Sequence, residues 1–94
     1  MTTHQEIVDA LTAIIEREES NGCPMAHPML VEPAIRRWKS YARRSKNAKH
    51  VDWEHRVHDL EKGLLALFPG HNYDAACVRH LAESFAERLR ECLL

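Results

Sequence analysis

Apolar residues recur along the chain at the three-and-four spacing of an amphipathic helix, in four separate stretches. In the first, Ile7, Val8, Leu11, Ile14 and Ile15 share one arc, with Glu6, Asp9, Glu16 and Arg17 opposite. Thr3-His4-Gln5-Glu6 has the spacing of a capping box, and Asn21-Gly22 stops the pattern, so a helix is predicted over 3–19. His4 falls on the apolar arc and is expected to pack or cap. Pro24, Pro28 and Pro33 mark residues 20–33 as a loop, with Pro33 suited to the first helical position beside Glu32. The second helix, 33–46, sets Ala34, Ile35, Trp38, Tyr41 and Ala42 against an arc of Arg and Lys.

Trp53, Val57, Leu60, Leu64, Leu67 and Phe68 make a near-heptad seam that Pro69-Gly70 closes, giving a third helix over 51–68. The segment 45–50 has neither Gly nor Pro, yet the apolar stripe of 35–42 does not run into the next one. A break between helices two and three is therefore expected. Asn72 is the expected N-cap of a fourth helix, 73–93, with Tyr73, Cys77, Leu81, Phe85, Leu89 and Cys92 on its apolar face. Four such stripes bury one another most simply in an all-α, antiparallel four-helix bundle, a single domain over 1–94.

Composition agrees: Ala, Leu, Glu and Arg abound, while Gly is scarce. A chain this short buries only about 60–65% of its unfolded surface, so self-association into a homo-oligomer is expected to help it. No stretch approaches the roughly 20 apolar residues of a membrane span, and no basic, apolar leader opens the sequence. Three cysteines, an odd number, fit free thiols in a reducing cytoplasm better than a disulfide framework. No Gly-rich phosphate loop, nucleophile elbow or His-Glu-x-x-His occurs, so catalysis is not expected.

Charge changes the picture more. Residues 1–32 carry six acids against Arg17, residues 33–50 seven bases and no acid, and residues 51–94 eight acids against five bases. The net charge of −1 therefore hides an acid–base–acid order along the chain. The basic block is the outward arc of helix two: Arg36, Arg37, Lys39, Arg43, Arg44 and Lys46, with Lys49 and His50 at its edge. An unbroken basic stripe costs self-repulsion and is not needed for folding, and arginine forks suit carboxylate or phosphate. The bland alternative is that the acidic helices neutralise it internally. The favoured expectation is a protein that binds the acidic surface of a partner through this arc, as adaptor, regulator or inhibitor. A nucleic-acid-binding regulator using the same face is less supported, given a pI near 6.6.

Metal binding, as a chaperone or sensor, is the other alternative. Cys23, Met25, His27 and Met29 alternate at spacing two, so an extended loop would point all four one way, a donor set suited to copper(I). His55 and His58 lie one turn apart but project away from the seam. With Cys77 and His80, at spacing three on helix four, they would make a zinc site if those faces met. The bland readings are solvated histidines, core cysteines, and methionines that plug the end of the bundle. His55-Arg56-Val57-His58-Asp59-Leu60-Glu61, followed by Leu67-Phe68-Pro69, resembles hemerythrin-like cation-binding bundles over about 15 residues. That resemblance implies an iron-binding helical bundle. The chain departs from the pattern where helix two has no histidine and where Phe85 stands in place of a carboxylate five residues after His80.

Overall fold

Each apolar stripe folds as a helix, and local chemistry sets most of the ends. The structure is a computed structural model and describes residues 2–44, 53–69 and 73–93, with the backbone alone for 42–44 and 93. Helix α1, His4–Ser20, starts at Thr3, whose hydroxyl oxygen accepts the Glu6 N–H at 3.1 Å. It ends in a Schellman motif: Gly22 N–H donates to Glu19 C=O at 3.0 Å, and Cys23 N–H to Glu18 C=O at 2.9 Å. Gly22 has φ 86°, a left-handed backbone that a side chain would oppose.

The connector then turns twice. Ala26 N–H reaches back to Cys23 C=O, and a short 3-10 turn follows at Pro28–Leu30. His27 caps that turn, its Nδ1 accepting the Met29 N–H at 3.1 Å, so Pro28 and not Pro33 opens the helical path. Helix α2, Val31–Arg44, continues from it. Pro33 falls in its first turn, where N–H groups have no intrahelical acceptor to lose. The expected break over 45–50 lies outside the described residues, as do Lys46, Lys49 and His50.

Helix α3, Trp53–Leu65, stops short of the expected residue 68. Its last turn tightens, with Leu67 N–H donating to Leu64 C=O and Phe68 N–H to Leu65 C=O. Pro69 disfavours helical backbone at Phe68. Helix α4, Ala75–Leu93, is capped by Asp74, whose Oδ1 accepts the Cys77 N–H at 3.1 Å. Asn72, the expected cap, lies outside the described residues, and Tyr73 is exposed ahead of the helix, not on its apolar face.

Helix α1 packs on α2 and α4, and α3 on α2 and α4, which closes a four-helix bundle. Three of these pairs are visibly antiparallel. Arg17 meets Ser84 while Ala10 shares a groove with Glu91; Arg37 meets Asp59 while Trp38 meets Trp53; Glu61 meets Arg79 while Trp53 meets Arg90. Helices α1 and α2 touch where both begin, through His4 Nε2 and the Glu32 carboxylate at 3.0 Å. His4 is therefore an exposed link between helices and is not packed.

Leu11, Ile15, Leu60, Leu64, Leu81, Phe85 and Leu89 are fully buried at the centre. Burying each such side chain contributes about 1.5–3 kcal/mol. Met25 and Ala26 of the connector are buried with them, and only Met29 and Tyr73 expose a large apolar side chain among the described residues. Among the same residues no helix is long and apolar enough to cross a membrane.

Candidate functional site

The outward arc of α2 is only partly free. Arg37 is tied to α3, its Nε and Nη2 donating to the two carboxylate oxygens of Asp59 at 3.1 Å each. A bidentate fork of this kind fixes the arginine, whose stem also lies against Gly63. Arg36 and Lys39 are exposed and form no ion pair with another described residue. Arg43 and Arg44 continue the helix backbone, with side chains outside the description; by register, Arg43 follows Arg36 on one face and Arg44 follows Arg37. Among the described side chains of the arc, the intramolecular counter-charge reading therefore holds for Arg37 and not for Arg36 or Lys39.

Tyr41 and Trp38, on the inner side of α2, receive a cation from α3. The Arg56 guanidinium stands 5.1 Å from the Trp38 ring centre and 5.6 Å from that of Tyr41. Arg90 of α4 covers Trp53 at 4.5 Å. These stacks engage two more arginines within the chain, Arg56 part-buried and Arg90 exposed.

The second cluster forms where α1 ends and α4 begins. Cys23 and Cys77 are joined by a disulfide, their Cα atoms 5.7 Å apart. The expectation of three free thiols is thereby corrected; Cys92 alone is free, part-buried against the core. The inference from free thiols to a reducing compartment falls with it. Cys77 is also not a plain core cysteine. Residues 54 apart in sequence gave no sign of pairing; the Schellman turn carries Cys23 across to the first turn of α4.

Glu18, whose backbone carbonyl accepts the Cys23 N–H, is 5% exposed. Its Oε1 accepts Arg17 Nε and His80 Nε2, each at 3.0 Å, and Arg17 reaches on to the Ser84 hydroxyl at 3.3 Å. The sequence does hold a signal for this buried acid, since Glu18 follows Leu11 by seven and Ile14 by four, on the edge of the apolar arc.

The sets proposed for metal do not assemble. The connector is turned, not extended, so the alternation at spacing two is lost: Cys23 is disulfide-bonded, Met25 buried, His27 a cap and Met29 exposed. His55 and His58 are exposed, as their register implied, and line a shallow depression with Glu54 and Arg79. His80 is turned to Glu18 instead of joining them.

Arg79 fills the place a cation would take. It donates to Glu83 at 2.8 Å and to Glu54 at 2.6 Å, and lies 3.9 Å from Glu61. Its pKa is pushed above the ordinary arginine value, chiefly by the hydrogen bond to Glu83 and then by that to Glu54. Among the described residues no group of three or more His, Cys, Asp or Glu is placed to hold a metal ion. The iron implied by the hemerythrin-like run therefore does not fit, because its histidines face out and an arginine occupies the nearby carboxylates. Compared with known proteins, the chain matches no family model, no curated protein and no solved structure.

Proposed function

We propose that this chain is a small non-catalytic binding module that docks the exposed basic face of α2 on the acidic surface of another protein, as an adaptor, regulator or inhibitor. The pairing of acids with bases elsewhere in the chain is the observation that supports it. Asp59 takes Arg37, Glu54 and Glu83 take Arg79, Glu18 takes Arg17 and His80, and Glu32 takes His4. Arg36 and Lys39 remain exposed at adjacent positions of one arc, with Arg43 following them in register. Like charges set side by side repel and add nothing to folding, whereas exposed guanidinium forks match carboxylates in shape and charge.

Reversing Arg36 and Lys39 to Glu tests this, because both are exposed and neither holds the bundle together. Stability should move by only about 0.5 kcal/mol. Capture of the partner on immobilised protein should be lost, and wild-type capture should weaken as salt rises above about 0.1 M, where screening sets in over roughly 10 Å. Capture that survives the double reversal sinks the proposal. Capture that disappears with nuclease transfers the face to nucleic acid.

A further inference from the structure

We infer that a second copy of this chain covers the basic face of α2, meeting it with the acidic outer face of α1. Self-docking of this kind uses the same face as the partner proposed above, which would compete with it, but does not require that partner to exist.

Glu6, Asp9, Glu16 and Glu19 follow one another along α1 at intervals of three, seven and three, and all are exposed. That spacing keeps them on the side of the helix away from the core. Asp9 accepts only the neutral amide of Gln5, at 2.9 Å. Glu6, Glu16 and Glu19 form no ion pair with another described residue. Arg17, the one arginine of α1, is turned away to Glu18 and Ser84. The three acids of α3, by contrast, all pair within the chain: Glu54 and Glu61 with Arg79, and Asp59 with Arg37. The unmatched negative charge therefore gathers on α1, as the unmatched positive charge gathers on α2 at Arg36 and Lys39.

The two faces also match in spacing. Glu16 and Glu19 are three residues apart, as are Arg36 and Lys39, so each pair rises about 4.5 Å along its helix. A turn of α1 laid on a turn of α2 sets two carboxylates against two cations, whichever way the second helix runs. Ala13 and Ser40, exposed beside these pairs, are small and let the helices approach. One chain cannot make this match by itself, because its bundle turns both faces to solvent. The net charge of −1 leaves two copies almost without mutual repulsion. Each contact between exposed charges is weak and is screened by salt. The association therefore belongs to concentrated protein at low ionic strength.

The test mixes unlabelled and isotope-labelled wild-type protein at low ionic strength and joins touching amines and carboxylates with a carbodiimide. Peptide mass mapping should find Lys39 bonded to Glu16 or Glu19 in products that pair one light peptide with one heavy one. Sedimentation of the purified protein should show mass above the monomer, reverting to the monomer at high salt. Glu16→Lys with Glu19→Lys should leave the protein monomeric. Glu87→Lys with Glu91→Lys makes the same change of net charge at exposed positions of α4 and should leave the association in place. Wild type that stays monomeric when concentrated at low salt overturns the inference, as do cross-links confined to other residues or an equal loss in both variants. The E16K/E19K protein keeps α2 intact and should still capture an acidic partner, so failure here is distinct from failure of the proposed function.

Discussion

Gly63 and Arg37 show how a single missing side chain is used. A Cβ at Gly63 would stand 3.1 Å from Arg37 Cγ and 3.2 Å from its Cδ, closer than such atoms normally sit. The arginine has little freedom to yield, since both oxygens of Asp59 hold its fork. Alanine is nevertheless the better helix former by about 1 kcal/mol. The two effects separate in a double-mutant cycle. Gly63→Ala should stabilise an Arg37→Ala background by about 1 kcal/mol and gain less, or lose, in the wild type. Urea midpoints measure both, and equal gains in the two backgrounds would mean that Arg37 is not pinned.

At the scale of elements, the helix ends carry more consequence than the helix interiors. Thr3, His27 and Asp74 each accept a backbone N–H in a first turn, and Gly22 closes α1 in a left-handed conformation. Gly22 also aims Cys23 at α4. Replacing it with Ala should cost about 1–2 kcal/mol, the price of left-handed backbone for a residue with a Cβ. It should also slow formation of the Cys23–Cys77 bond when the reduced chain is refolded in air, followed by thiol titration. Thr3→Ala, a comparable loss at the other end of α1, should cost about 1 kcal/mol and leave that rate alone. Equal rates in all three proteins would show that the turn does not aim the cysteine.

For the whole molecule, one covalent bond carries a sizeable share of the net stability. The disulfide joins residues 54 apart in sequence, and loop entropy alone makes that worth about 4 kcal/mol. A small domain has only roughly 5–15 kcal/mol in total. Reduction with a phosphine should therefore lower the melting temperature by on the order of 20 °C, followed by far-UV circular dichroism. A drop of only a few degrees would mean that the packed ends of α1 and α4 already hold each other without the sulfur bond. The helical spectrum below the transition should survive reduction, because Leu11, Ile15, Leu81 and Phe85 stay buried on the facing helices.

What the sequence determined by itself is the part governed by neighbours a turn away. The four stripes, the capping box at Thr3, the stop at Asn21-Gly22 and the outward register of His55 and His58 depend on spacing, and spacing can be read directly. The arc of Arg36 and Lys39 was legible for the same reason. What needed the tertiary structure was every pairing between distant segments. The Cys23–Cys77 bond, the Arg37–Asp59 fork, the burial of Glu18 between Arg17 and His80, and the placement of Met25 in the core each join residues from different elements. Periodicity fixes which face of a helix turns inward. It does not fix which inward or marginal residue of another helix will stand opposite, because that depends on how the connectors cross the ends of the bundle.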